Sequence, residues 1–339
     1  MMKRILATMA MATFPLAAWA FQADVIAPAK EGKIPSVAGQ ISFGMLNGEA
    51  KEHVYDYETA DGSRRQLSRL DWDLKNIVMG GVNVSVRPMN MFKSIDLSQD
   101  LTFNTANGVT LNFGYWNALT EGGGEMDDYD WLDTSSTDWT HYSLSDVDVT
   151  EGYIFDLNVA WDFIQWKDSV TGRVFAGYKQ NGWTWEDSGR YLLYPEYGYV
   201  PQDLAGENMI NYEQEFRMPY LGASADWTRG AITISGRLIF SPSVSATDWD
   251  EHVARDLHFK EEFTGGDMFG LGLDVRYAFS RGPLKGAFLS AAFDAQTVDL
   301  IVGDMEYTDV STGEQGAEDD VAGIENEYWI LSLGGGYRF

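Results

Sequence analysis

Asp250 and His252 stand two residues apart in the segment Asp248-Trp249-Asp250-Glu251-His252, a spacing that suits acid–base chemistry. If the segment is extended, Asp248, Asp250 and His252 share one face, because side chains alternate along a strand. An Asp on the same face as a His can orient the imidazole ring, fix its tautomer and stabilise its cation. His252 is therefore a candidate general base, although an acidic loop with one His is more often a solvated surface.

Asp128 and Asp130 form a second candidate within the acidic run of residues 126–133. They too share one face of an extended chain. Two carboxylates held close together raise each other's proton affinity, so that one stays protonated and can hydrogen-bond a water molecule or an oxyanion. A solvated loop or a weak Ca²⁺ site is the alternative interpretation of this run.

Motifs of other catalytic classes are missing from the sequence. It contains no Gly-x-Ser-x-Gly elbow, no His-Glu-x-x-His pair and no P-loop. The absence of cysteine excludes disulfides and thiol chemistry, and four histidines argue against a Cys/His metal site. We therefore expect no metal and no cofactor. The formal net charge of −27 would repel nucleic acid and suits a basic partner or substrate.

The elements that must position these residues are β-strands, because apolar and polar residues alternate over stretches of about ten residues. Such alternation occupies residues 154–163, 232–240 and 269–279. This length fits tilted membrane-spanning strands better than the strands of a soluble β-sandwich. A content of 14% aromatic and 22% charged residues agrees, since a barrel has a lipid-facing wall and a polar interior. Composition alone leaves the sandwich open.

Short and long connections alternate along the chain, as they do between the two rims of an outer-membrane barrel. Short turns are predicted near residues 166–172, 228–230 and 280–286, with a longer fourth turn near 87–97. Long polar loops are predicted near residues 47–65, 121–150, 186–207, 247–266 and 303–323. The pattern predicts one all-β domain: a transmembrane, antiparallel, up-and-down β-barrel of about ten strands, with long extracellular loops and both termini on the periplasmic side.

Both ends of the chain carry signals of export to the outer membrane. A basic start and the apolar run 5–16 are followed by Ala18-Trp19-Ala20, the small residues that a signal peptidase needs. We expect cleavage before Phe21, so that residues 1–20 are a signal peptide and residues 21–339 form the barrel. The last strand alternates aromatic and apolar residues to its end and resembles the C-terminal signal of assembled barrels.

The two candidate segments resemble the catalytic segments of the omptin family of outer-membrane endoproteases. Asp128-Tyr129-Asp130-Trp131 is similar to the family's Asp-x-Asp-Trp segment, and Asp250-Glu251-His252 to its Asp-x-His segment. Further similar segments follow in the family's order, at residues 48–52, 54–55, 70–72, 216–222 and 322–326. The resemblance covers nearly the whole mature chain. It implies an endopeptidase on the extracellular side of the outer membrane that cleaves at or between basic residues.

The resemblance also implies a role for each of the four catalytic candidates. His252, oriented by Asp250, would be the general base that activates a water molecule to attack the peptide carbonyl. Asp128 would position that water, and Asp130 would support the water and the tetrahedral intermediate. A water activated in this way needs no serine, cysteine or metal.

Glu52 and Asp248 match the family's acidic pocket for the basic side chain before the scissile bond, so basic peptides or proteins are the expected substrates. Two other functions stay open as alternatives. One is a non-catalytic adhesin or plasminogen-binding barrel, against which the four catalytic candidates argue. The other is a lipid-modifying barrel hydrolase with a Ser–His pair, and no Ser stands two residues from His252.

One departure from the family concerns an outer-wall cluster that binds lipopolysaccharide phosphates. The family's Tyr, Glu and Arg are here Tyr178, Gln180 and Gly182, and its Arg before Phe216 is Glu215. Lys179 and Arg217 lie nearby, but we expect both to point to the opposite face. The expected partner is therefore outer-membrane lipid, with lipopolysaccharide doubtful as an activator, around a monomeric barrel.

Overall fold

A computed structural model of the chain describes residues 36–56, 64–88, 94–104, 108–167 and 169–339. The signal peptide predicted for residues 1–20, with its cleavage before Phe21, lies outside the described residues and stays a prediction. No helix in the described ranges has the length and apolar character that a membrane span requires. The regular structure there is antiparallel β-sheet with a few short 3-10 turns.

Fourteen strands form one sheet. In chain order they are β1 (Ser36–Asp56), β2 (Arg65–Arg87), β3 (Ile95–Asp96), β4 (Leu101–Phe103), β5 (Val109–Ala118), β6 (Gly122–Asp130), β7 (His141–Trp166), β8 (Val170–Leu193), β9 (Gln202–Asp203), β10 (Ile210–Arg229), β11 (Ile232–His252), β12 (Leu257–Ala278), β13 (Ala287–Asp309) and β14 (Gln315–Arg338). Strands β3, β4 and β9 have two or three residues each and only extend the rims.

The sheet closes on itself. Each long strand pairs with its neighbours along the chain, and β1 pairs with β14, which joins the first strand to the last. Strands β5 and β6 both pair with β2 on one side and with β7 on the other, so together they form one interrupted strand. The ring therefore has ten strand positions. The first residue of β1 and the last residue of β14 lie at the same rim. This confirms the predicted antiparallel, up-and-down barrel of about ten strands.

The strands extend much further than the sequence analysis predicted. Nine of them contain 20 to 26 residues, whereas a tilted strand crosses a membrane in about 9–11 residues. Much of each polar stretch interpreted as a loop is strand: β11 continues to His252, and only residues 253–256 separate it from β12. The upper wall projects into water, where outward positions are polar, so the alternation that marks a lipid-facing strand disappears.

The outer wall has two zones. Large apolar side chains are exposed on the half of the strands near the chain termini, among them Ile41, Phe43, Leu238, Phe240, Leu331 and Leu333. So extensive an apolar belt is the lipid-facing wall of a membrane barrel. Glu52 lies seven positions beyond Met45, and Asp250 lies ten positions beyond Phe240, which is roughly 20–30 Å further along each strand. The catalytic candidates therefore lie outside the membrane-spanning segments.

The interior of the barrel above the belt is packed with aromatic side chains. One apolar cluster contains Trp72, Trp183, Trp185, Tyr212 and Tyr328, all of them buried. The rings of Trp72 and Tyr212 stack with their centroids 5.0 Å apart, and Trp183 meets Tyr328 edge-on at 5.7 Å. Close packing of this kind fixes side-chain positions. It therefore gives the upper wall a fixed shape, in which inward side chains from distant strands meet at constant distances.

Trp183 tests this packing. Trp183→Ala should lower the free energy of unfolding by about 3–5 kcal/mol, because the lost ring leaves a cavity that the closed wall cannot fill. Trp249 points outward from β11 and is 37% exposed; Trp249→Ala should change stability by about 0.5 kcal/mol or less. Urea unfolding of the refolded barrels in detergent, followed by circular dichroism, measures both values. Equal losses for the two variants would contradict the packed interior.

Candidate active site

A cavity of 550 Å³ lies at the rim away from the chain termini. Its acidic and basic side chains come from strands that are not neighbours in the sheet. Glu52 belongs to β1, Asp128 and Asp130 to β6, and Asp250 and His252 to β11. Closure of the barrel thus brings five of the six residues singled out in the sequence around one space. The sixth, Asp248, is fully buried behind the cavity wall.

The Asp–His pair lies at the upper end of β11. Asp250 and His252 point inward, while Trp249 between Asp248 and Asp250 points outward, so the alternation expected from the sequence is confirmed. Nε2 of His252 donates a hydrogen bond of 2.6 Å to Oδ2 of Asp250. Asp250 is buried. The carboxylate therefore holds the ring by one nitrogen and leaves the other nitrogen, Nδ1, to meet a proton donor.

The Asp pair is positioned by the two strands that flank β6. The hydroxyl groups of Ser68 on β2 and Ser143 on β7 donate to the two carboxylate oxygens of Asp128, at 3.3 and 3.2 Å. Asp130 follows two residues later and lines the same cavity. Sequence analysis did not find the two serines, since only the register of β6 places Ser143 on β7 opposite Asp128 and Ser68 on β2 opposite the neighbouring Asp130.

The Asp pair retains protons near neutral pH. Burial, together with the negative charge of Asp130, raises the pKa of Asp128 to about 7, and the hydrogen bonds from Ser143 and Ser68 oppose that rise. Burial also raises the pKa of Asp130, against the effects of Ser68, His141 and Arg255. Two neighbouring acids cannot both ionise cheaply in a poorly solvated space. The pair can therefore offer one proton to a bound oxygen near neutral pH.

Glu52 and Asp248 form a deeper acidic group beneath the Asp–His pair. Burial is the largest cause of the raised pKa of each, and the charge of Asp250 adds to it in both cases. The phenol of Tyr212 donates to Oδ2 of Asp248 at 2.8 Å, and the side-chain amide of Gln214 donates to the phenol oxygen at 2.9 Å. The structure therefore places the two predicted pocket residues together, on the side of the cavity next to His252.

Arg255 is a site residue that sequence analysis missed. It lines the cavity, and its guanidinium donates a hydrogen bond to Nδ1 of His252. A short 3-10 turn, Val253–Arg255, carries the side chain back over the end of β11, and Asp256 then reverses the chain with a φ of 52°. No sequence pattern signals such a turn in advance. The lone pair of Nδ1 is therefore occupied by Arg255.

Glu261 is another residue that sequence analysis missed. It points inward from β12, in line with Phe259 and Phe263, and is 1% exposed. Its strand partner is Asp248. The signal was present in the sequence: Phe259, Glu261 and Phe263 alternate with Lys260 and Glu262. The assignment of residues 247–266 to a loop concealed it.

The outer-wall cluster differs in one respect from the expectation. Lys179 is buried inside the barrel, as predicted, but the prediction for Arg217 is wrong. Arg217 stands two residues from Glu215, so both point outward from β10, and they form an ion pair. The phenol of Tyr153 donates to Glu215 at 2.7 Å. A Cβ at Gly182 would lie 2.6 Å from the Tyr153 ring, which explains why no longer side chain fits there.

The model of the omptin family matches residues 34–339. The chain belongs to the omptin family. This omptin is 30% identical over 300 residues to the plasminogen activator of Yersinia pestis, with 88% of each chain covered. It is 26% identical over 311 residues to the outer membrane protease OmpP of Escherichia coli, with 89% of this chain and 90% of the relative covered.

A solved structure agrees with the fold. The crystal structure of the outer membrane protease OmpT from Escherichia coli superimposes on this omptin with a TM-score of 0.77 at 23% sequence identity, over 90% of this chain and 97% of that chain. The omptin described here is thus an outer-membrane β-barrel, as the sequence predicted. The protease names of its relatives support a proteolytic function in general.

Asp128 tests the protonation of the Asp pair. An acid whose pKa is higher in the folded than in the unfolded chain makes the fold less stable as pH rises from about 4 to about 7. Asp128→Asn removes this effect, so the variant should lose less stability between pH 5 and pH 8 than the native barrel does. Urea midpoints at the two pH values measure the difference.

Asp127→Asn is the matched control, because Asp127 alternates with Asp128 and instead accepts a hydrogen bond of 2.7 Å from Tyr142. Its pH dependence should equal that of the native barrel. If Asp128→Asn behaved like this control, the raised pKa would be refuted.

Proposed function

We propose that this omptin is an endopeptidase that cleaves peptides and proteins at or between basic residues. The observation that carries the proposal is that an Asp–His pair and a proton-retaining Asp pair, from strands far apart in sequence, line one cavity above the lipid belt. A purely adhesive surface has no need of a histidine held by a buried carboxylate opposite such a pair of acids.

In the proposed mechanism His252 is the general base. Asp250 accepts the hydrogen of Nε2, which fixes the tautomer with its lone pair on Nδ1 and stabilises the imidazolium that forms. A substrate entering the cavity displaces Arg255 from Nδ1, and a water molecule takes its place. His252 removes a proton from this water as the water oxygen attacks the peptide carbonyl. The imidazolium then returns the proton to the leaving amine.

The Asp pair faces the other side of the reacting carbonyl. Asp128, held by Ser68 and Ser143, orients the water, and the proton that it shares with Asp130 hydrogen-bonds the developing oxyanion. The displaced guanidinium of Arg255 remains near both acids, whose pKa values it lowers. The proposed reaction requires no metal, no cofactor and no covalent intermediate.

The acids of the pocket support a preference for basic residues. Glu52 lines the cavity and Asp248 lies behind it, so a Lys or Arg side chain that enters beside His252 meets buried carboxylates. A net charge of −27 attracts basic peptides to the barrel before they bind. We place the cavity on the extracellular side, at the rim opposite the termini, in a monomeric barrel.

His252→Gln and Asp250→Asn test the proposed base. A positioned general base contributes roughly 10²–10⁴-fold, so each variant should lower turnover by about that factor. The refolded barrel is incubated with a random peptide library, and cut sites are mapped by mass spectrometry. His258→Gln is the matched control, since His258 is exposed and pairs with Glu251.

Native and control barrels should cut next to Lys and Arg, while heat-modifiable gel mobility shows that all variants are folded. Near-normal cleavage by His252→Gln would refute the mechanism. A native barrel that binds basic peptides without cutting them would instead support the adhesin alternative.

We also expect this barrel to depend less on lipopolysaccharide phosphate than the family pattern implies. Arg217 is on the outer wall, but it forms an ion pair with Glu215, which neutralises its charge. Gln180 is uncharged, and its side-chain amide donates a hydrogen bond to Tyr153. The detergent-refolded barrel should cleave a fluorogenic dibasic peptide before any lipid is added, and rough lipopolysaccharide should change the rate about twofold or less. A barrel that is inactive until lipopolysaccharide is added would contradict this expectation.

A further inference from the structure

Glu261 is a buried carboxylate that the proposed mechanism leaves unused. It is 1% exposed, and neither of its oxygens accepts a hydrogen bond from an N–H or alcohol group of the described residues. The same holds for Oε2 of Glu52 and Oδ1 of Asp248. Buried polar atoms are normally hydrogen-bonded, so four unpaired carboxylate oxygens in one region require an explanation.

The three acids approach one another from two parts of the wall. Asp248 and Glu261 are strand partners on β11 and β12, whereas Glu52 comes from β1. Burial, followed by the charges of Asp248 and Glu52, raises the pKa of Glu261. The three side chains are therefore close enough to repel one another when ionised.

The acids lie directly below the cavity. Glu52 and Phe259 line it, and Glu261 lies one inward position deeper than Phe259 on the same strand. Tyr212 occupies Oδ2 of Asp248 and leaves Oδ1 free. A long cationic side chain that enters the cavity beside Glu52 therefore points toward Asp248 and Glu261.

We propose that Glu261 is a third acid of the basic pocket and makes it select a guanidinium over an ammonium, that is, Arg over Lys before the scissile bond. An ammonium is a compact point charge with three N–H donors. A guanidinium has five donors in a planar fork and can form paired hydrogen bonds to more than one carboxyl group at once. One cation neutralises only one carboxylate, so the other two acids keep protons in the bound state.

This inference rests on the proposed function, and its test separates the two. Agmatine and cadaverine carry the two cationic groups without a peptide bond, so their binding to the refolded barrel is independent of catalysis. Isothermal titration should show that the native barrel binds agmatine at least about tenfold more tightly than cadaverine. Glu261→Gln should reduce this ratio to about threefold or less, and Glu261→Asp should retain most of it.

Glu262→Gln is the matched control, because Glu262 is the next residue along β12, points outward and pairs with Lys260. It should preserve the native ratio. Matched peptides with Arg or Lys before the scissile bond should show the same order in kcat/KM. Heat-modifiable mobility verifies folding, and the Glu261→Asp barrel decides the matter if the Gln variant fails to fold.

The outcomes are distinct. A native barrel that binds the two amines equally, or a Glu261→Gln barrel that cuts basic peptides with an unchanged Arg-to-Lys ratio, overturns the role of Glu261 alone. A barrel that cuts no peptide overturns the proposed function, while the ratio of amine affinities still decides whether Glu261 selects the guanidinium.

Discussion

Closure of the sheet is the constraint on which the rest of the structure depends. In a closed barrel every strand has two neighbours, so the backbone hydrogen bonds are complete and the wall resists distortion. That wall continues well beyond the lipid belt, where Trp183 and Tyr328 pack its interior. Such a frame can hold carboxylates together against their mutual repulsion, because separating them would require breaking the ladder. Without closure, Glu52 and Asp248 would move apart into water.

The closed wall keeps carboxyl groups close together despite their mutual repulsion, and this proximity determines the chemistry of the site. Burial raises the pKa of Asp128 and of Glu52, so protons stay on acids that would lose them in water. Asp250 accepts a hydrogen bond from His252 and holds its ring in the same cavity. One cavity therefore contains an acid that can give a proton and a base that can take one. In the proposed mechanism a protonated carboxyl group of the Asp pair has the first role and the imidazole of His252 has the second.

The sequence predicted those features that depend on strand periodicity alone. Asp248, Asp250 and His252 share a face, as expected, because β11 is regular from Ser245 to its last residue. Features that depend on pairing were beyond reach, since nothing in the sequence states that Asp248 lies opposite Glu261. The position of the Arg255 side chain depends on a 3-10 turn that is followed by a residue in the left-handed conformation, and the periodicity of the sequence does not predict such a turn. The predicted loop boundaries were wrong for a related reason. Above the lipid belt the outward residues of a strand are polar, so the alternation of apolar and polar residues no longer marks the strand.

Strand β10 links the outer wall to the pocket. Glu215 and Arg217 face outward from it, while Tyr212 and Gln214 face inward from positions just before them. The inward pair forms a chain of hydrogen bonds that ends on Asp248. A force that displaced β10 at the wall would therefore move Tyr212 relative to Asp248 and change how many pocket oxygens are free. Since Glu215 already neutralises Arg217, we expect an anionic lipid phosphate to bind weakly at this strand and to leave the arrangement of the pocket unchanged.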